Sequence, residues 1–159
     1  GDALAISTIK HRKFSKLDFK KFHPSGSLGA KLRIVGELMY KTKDIPFINE
    51  NRNLKEALKI FNKKNLGVII VKNNRGNTSG IISDGDLKRI SYRSENIKKI
   101  IVKNVMKKNP VMVNENMLAA EALSIMNDKK ITSLCVFKKN KRKTTGLIHM
   151  HNILNANIN

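Results

Sequence analysis

The sequence predicts an α/β (α+β) fold made of two β-α-β-β-α repeats related by a pseudo-two-fold axis, and three observations carry that reading. The first is self-similarity. A shift of 65 residues lays Ala57, Leu58 and Phe61 on Ala122, Leu123 and Met126, and lays Ile69 and Val71 on Leu134 and Val136. A period of this size marks two copies of one small unit. The second is a change of hydrophobic period inside each copy. Leu54, Ala57, Leu58 and Phe61 recur at i, i+3, i+4 and i+7, an amphipathic helical face, and then give way to the β-branched run "VIIV". The third is size: a unit of about 55 to 60 residues buries too little of its own surface to stand alone. The strands of both copies are therefore expected in one shared core, with a cleft between like units as a natural ligand site.

Residues 1–34 are read as the end of a preceding domain and a linker, 35–95 as the first repeat and 96–159 as the second. A helix is expected over residues 2–14, with Leu4, Ala5, Thr8 and Ile9 on one side. Ser15 and Asp18 form the outline of a capping box for a second short helix, and Pro24, Gly26 and Gly29 make "HPSGSLG" a loop. In the first repeat, residues 45–48 are a short strand or extended lead-in. Asn53 caps the helix with Glu56 at its third position. "VIIV", the turn "NNRGN", the strand "GIIS" and a helix from "DGDLKRI" follow. The second repeat presents Ala119, Ala122, Leu123 and Met126 on one helical face, then "LCVF", a basic turn, "GLI" and "HMHNIL".

Composition narrows the function classes. No apolar run reaches the roughly 18 residues that a membrane span needs. The chain opens with Gly-Asp and no signal peptide, as a fragment of a longer protein would. Cys135 is the only cysteine, so no intrachain disulfide forms and a reducing cytoplasm fits. The net charge of +20 invites a nucleic-acid reading. Against it, the excess is spread evenly along the chain, lysine outnumbers arginine 25 to 7, and tryptophan is absent. Arginine is the better reader of phosphates and bases, and aromatic rings are the usual stacking platform. Nucleic acid is thus disfavoured as a partner, while an affinity for small anions survives.

Chemistry is expected at "SDGD", residues 83–86, where a strand gives way to a helix and backbone N–H groups at the positive end of the dipole can receive an anion. Ser83 with its hydroxyl and the helix start at Asp84 with its backbone N–H are expected to take a phosphate, Asp86 the ribose hydroxyls, and Arg89 an anionic tail. The bland alternative is a helix capped by Asp84 with solvated charges behind it. Thr132 and His149 of the second repeat are expected to close the other side. His149 and His151 are two apart, on different sides of a helix, and no Cys or carboxylate joins them at ligand spacing, so no metal site is expected. His23 is the residue whose near-neutral pKa suits acid–base catalysis.

"GIISDGDL" and "GLIHMHNIL" resemble a pair of cystathionine-β-synthase-type (CBS) motifs. Together with "GDALA" and "HPSGSLGAKL", they make the whole chain similar to the C-terminal half of bacterial D-arabinose 5-phosphate isomerases. The resemblance implies a sugar-isomerase (SIS) domain upstream, whose last helix is residues 2–14. It also implies a parent enzyme interconverting D-ribulose 5-phosphate and D-arabinose 5-phosphate, on the route to the lipopolysaccharide sugar acid Kdo. His23 would act only together with that SIS domain, leaving this fragment inactive alone. The CBS pair would be a regulatory module needing no cofactor. Its candidate ligand is CMP-Kdo or an adenine nucleotide, with homodimers of CBS pairs and a tetramer in the full-length protein. A ligand-free structural module for oligomerisation is the alternative.

Overall fold

The computed structural model describes Gly29 and residues 32–93 and 96–157. The expected helix at 2–14, the cap at Ser15 and Asp18, and most of the 23–29 loop with His23 lie outside the described residues. The first repeat runs β2 (Phe47–Asn49), α2 (Leu54–Lys64), β3 (Val68–Lys72), β4 (Thr78–Ser83) and α3 (Asp84–Arg93). The second runs β6 (Met112–Asn114), α4 (Ala119–Lys129), β7 (Ser133–Phe137), β8 (Gly146–His149) and α5 (Met150–Leu154). The expected order holds in both. Asn53 caps α2, its Oδ1 accepting the Glu56 N–H at 3.0 Å. Both long helices end on a left-handed residue, Asn65 at φ 54° and Lys130 at φ 56°, positions 65 apart. Two Asx turns repeat as well: Asn49 Oδ1 accepts the Asn51 N–H at 2.9 Å, and Asn114 Oδ1 the Asn116 N–H at 2.8 Å.

Alternation along the strands divides the interior in three. On β3, Ile69 and Val71 turn to α2 and pack with Leu54, Ala57 and Ile82. On β7, Leu134 and Val136 turn to α4 and pack with Ala122, Met126 and Ile148. The opposite faces meet: Val68 and Ile70 of the first sheet pack with Cys135 and Leu147 of the second. The expected shared core is this middle layer, and a separate helix–sheet core flanks it on each side. A sheet covered on both faces has apolar residues at successive positions, hence the unbroken "VIIV".

Among the described residues each sheet has four strands, and one strand of each comes from the other repeat's leading segment. A short helix α1 (Val35–Leu38) and strand β1 (Tyr40–Lys41) precede the first repeat. β1 joins the second sheet, antiparallel to β8, with Lys41 opposite Gly146. Strand β5 (Lys107–Lys108), which precedes the second repeat, joins the first sheet, with Lys108 opposite Gly80. The hydrogen bonds match across the pseudo-axis. Val35 N–H donates to Met117 O and Ala119 N–H to Arg33 O; in the other half Val102 N–H donates to Arg52 O and Leu54 N–H to Ile100 O, all at 2.8 Å. Val35 is buried in the core of the second repeat and Val102 in that of the first. Each such valine stabilises its host by about 1.5–3 kcal/mol. This exchange was not expected from the sequence.

The glycines opening the final strands have their reason here. A Cβ on Gly80 would strike the Met106 side chain and stand 2.9 Å from the Lys107 carbonyl oxygen. A Cβ on Gly146 would strike Met39, with Cε at 3.0 Å and Cγ at 3.1 Å, and no backbone atom is among its nearest neighbours. A methionine can rotate away, whereas a hydrogen-bonded strand carbonyl cannot. Gly80→Ala should therefore destabilise by about 1–3 kcal/mol, the usual cost of overpacking, and Gly146→Ala by less. Urea unfolding of both variants checks the order, and adding Met106→Ala to Gly80→Ala should recover only part of the loss.

Candidate ligand cleft between the repeats

At the corner where β4 runs into α3, Ser83 and Asp86 bond each other reciprocally. Asp86 Oδ2 accepts the Ser83 N–H and the Ser83 hydroxyl, each at 2.9 Å, and Ser83 Oγ accepts the Asp86 N–H at 3.2 Å. Ser83 is thus the cap of α3 and Asp86 closes the box, the arrangement that satisfies orphan N–H groups at a helix start. Asp84, whose helix start was expected to take the phosphate with Ser83, turns its carboxylate to solvent, where it pairs with Lys88 at 3.5 Å. Its N–H donates to Gly67 O at 3.1 Å. Asp86 is only 5% exposed. Its other oxygen, Oδ1, accepts from Arg89 and from Lys107 Nζ, the latter at 3.3 Å. Burial pushes its pKa up, but the Ser83 hydrogen bonds and Lys107 more than offset this and hold the carboxyl below its ordinary value. A buried carboxylate kept charged in this way is an anchor for hydroxyl donors.

Asp86 and Ser83 stand on the wall of a cleft of about 320 Å³ between the repeats. That volume lies within the range of roughly 300–1,000 Å³ typical of small-molecule sites. Val68 and Ile81 belong to the first repeat's side, and Ile131, Thr132, Ser133 and Cys135 to the second's. The exchanged strand β5, continued through Asn109, Pro110 and Val111, forms the connecting wall, and Lys107, Lys108 and Lys130 bring positive charge. Neither Lys108 nor Lys130 has an ion pair among the described residues. Sequence reasoning missed Lys107, Lys108, Pro110 and Lys130. One signal was available: "VGELM" and "VKNVM" are matched segments ahead of their repeats, and a matched lead-in is as much a part of the repeat as its helix.

The structure brings three of the expected residues, Ser83, Asp86 and Thr132, to this one cleft. Arg89 stands behind Asp86 and lines a second cavity of about 340 Å³ with Arg93, Asn104 and Lys107. His149 occupies the pseudo-symmetric corner. Its N–H donates to Asn152 Oδ1 at 2.8 Å, as Ser83 N–H does to Asp86, so His149 and Asn152 stand for Ser83 and Asp86 in the second repeat. His149 Nδ1 accepts the His151 N–H at 3.0 Å, and the two rings stack with centroids 4.8 Å apart. The expectation that they sit on different sides of a helix fails, because His149 is the extended cap and not a helical residue. Among the described residues no cluster of three or more His, Cys, Asp or Glu could hold a metal. Burial pushes the Cys135 thiol up to about 12, so it packs as an inert apolar group.

Burial, with electrostatic repulsion from the neighbouring His151, holds His149 below the usual imidazole value of 6.5. The neutral ring is the capping form. As pH falls through 6.5 the unfolded chain takes up its proton first, so the stability present above that value is lost toward the lower folded pKa. The urea midpoint should drop between about pH 7 and pH 5, and His149→Asn, which keeps a capping acceptor, should flatten that dependence. Identical slopes in both proteins would refute it.

Among the described residues no helix is long and apolar enough to cross a membrane. Over 99% of its length the chain is 34% identical to the arabinose 5-phosphate isomerase KdsD of Escherichia coli O6:H1, spanning 48% of that protein in its C-terminal region. The chain therefore spans about half the length of the curated relatives it matches. The fold is similar to the CBS domain of a bacterial CNNM/CorC family Mg2+ transporter in complex with ATP. There the TM-score is 0.70, with 21% identity over 81% of this chain and 89% of that one. It is also similar to CBSX2 in complex with AMP, with a TM-score of 0.65 and 18% identity over 78% of this chain and 95% of that one. The CBS domain family matches residues 35–93 and again 102–159. The two repeats, their exchanged strands and the cleft between them are a tandem CBS pair, and the chain belongs to the CBS domain family.

Proposed function

We propose that this CBS pair is the nucleotide-sensing part of a cytoplasmic arabinose 5-phosphate isomerase, and that filling the cleft regulates the interconversion of D-ribulose 5-phosphate and D-arabinose 5-phosphate. One observation carries the reading: a buried, charged carboxylate faces a cleft whose remaining charges, among the described residues, are three lysines. A carboxylate accepts hydrogen bonds from both hydroxyls of a ribose, and lysines suit the phosphate beside it. Val68, Ile81, Val111 and Ile131 give a base its apolar surface. The similar structures that hold ATP and AMP support the nucleotide class, and the relatives named as isomerases support the parent enzyme. Within the class we favour CMP-Kdo, the end-product nucleotide sugar. It carries a phosphate and a carboxylate together, which suits three lysines better than one phosphate does.

Calorimetry against CMP-Kdo, CMP, AMP and ATP tests this, with CMP-Kdo expected to bind tightest. Asp86→Ala should weaken binding by about 1–3 kcal/mol. The same change removes a helix cap, so a second variant is needed. Lys130→Asn deletes one cleft charge while keeping a residue that tolerates the left-handed position, as Asn65 does in the first repeat. It should weaken CMP-Kdo by about tenfold and leave the urea midpoint unchanged. If no nucleotide produces heat, the pair is a structural module for oligomerisation instead.

A further inference from the structure

The second cavity, behind Asp86, has a charge imbalance that nothing in the nucleotide reading uses. Arg89, Arg93, Asn104 and Lys107 surround it above an apolar floor of Ile90 and Val105. Among the described residues its one acid is Asp86, and both Arg89 and Lys107 reach the same oxygen of that carboxylate, Oδ1. Arg93 has no partner among the described residues. Three cations against one carboxylate leave two positive charges in excess. Arg89 and Arg93 are spaced i, i+4 on α3, and like charges at that spacing repel by about 0.2–0.5 kcal/mol.

The pseudo-two-fold axis supplies an internal control. The strand registers put Tyr40 where Lys107 stands, since Lys41 faces Gly146 as Lys108 faces Gly80. The matching helix corners put Asn152 for Asp86 and Asn155 for Arg89, and the exchanged segments put Glu37 for Asn104. The second repeat therefore has no cation at the places of Arg89 and Lys107. Two of the chain's seven arginines meet here, although lysine carries most of the charge elsewhere. General lysine enrichment does not produce that pattern.

We infer that this second cavity is a binding site for a phosphate monoester, separate from the nucleotide cleft and coupled to it through Asp86. Guanidinium forks match phosphate oxygens in pairs, and the excess of two positive charges matches a phosphate dianion. Bound phosphate recruits Arg89 and Lys107 from Asp86 Oδ1. That oxygen is then open to a hydroxyl donor in the first cleft, whose wall contains the same Asp86 and Lys107. By linkage, each ligand raises the affinity for the other. The coupling rests on the nucleotide reading, while the site itself does not.

The test is a titration of the chain with inorganic phosphate, followed by NMR of backbone amides and arginine side chains, against sodium chloride at equal ionic strength. Shifts at Arg89, Arg93 and Asn104 beyond the chloride response are expected. Arg93→Ala, which touches neither Asp86 nor the first cleft, should weaken phosphate by about tenfold and leave AMP affinity in phosphate-free buffer unchanged. Phosphate should then tighten AMP binding to the wild type and not to the variant. Shifts no larger than with chloride, or equal phosphate affinity in Arg93→Ala, overturn the site. Competition between phosphate and AMP also overturns it, by placing phosphate among the lysines of the first cleft. If neither AMP nor CMP-Kdo gives heat, the nucleotide reading fails, and the phosphate titration with Arg93→Ala decides the site alone.

Discussion

The structure depends on an exchange of leading segments between the repeats. Residues 35–41 complete the second repeat and residues 102–108 complete the first, each through a buried valine, a methionine against a glycine, and a two-residue strand on the sheet edge. Without the partner's segment each helix–sheet core would lose its valine, and each final strand would be an open edge ready to pair wrongly. The glycines at 80 and 146 are the receiving half of this contact. The exchange explains why two units too small to stand alone occur as a pair in one chain.

The same exchange builds the cleft. β5 does not stop at the sheet edge; the chain continues through Asn109, Pro110 and Val111 across the gap before it enters the second sheet. Lys107 is carried on that strand to the Asp86 carboxylate of the other repeat. A ligand that competes for Asp86 thus acts on the strand that ties the repeats together. Under the proposed function, occupancy of the cleft would be felt by the interface, which is what a regulatory module requires.

The two corners show how one frame takes two chemistries. Ser83 and Asp86 make the same backbone bond as His149 and Asn152, at 2.9 and 2.8 Å. The first corner holds a charged carboxylate among cations, and the second a neutral amide beside stacked imidazoles. The geometry needs only an acceptor three residues after the strand end. The charge at that acceptor is free to vary, and with it the ligand each side can hold.

The repeat, the element order and the residues facing each helix were legible in the sequence because they are local. A period of 65, a face at i, i+3, i+4 and i+7, and a cap at Asn53 are each readable within a few turns of chain. Ser83 and Asp86 were legible for the same reason, being three residues apart. Thr132 is the repeat's counterpart of Gly67, 65 residues on, and both line the cleft. What the tertiary structure alone decided is which repeat each leading segment serves. "VGELM" and "VKNVM" carry no local mark of crossing over, since a valine buried in its own core and one buried in its neighbour's look alike in sequence. Lys107 at Asp86, Arg89 in a second cavity, and His149 at the opposite corner all depend on that choice, because they rest on strand pairing between residues far apart in the chain.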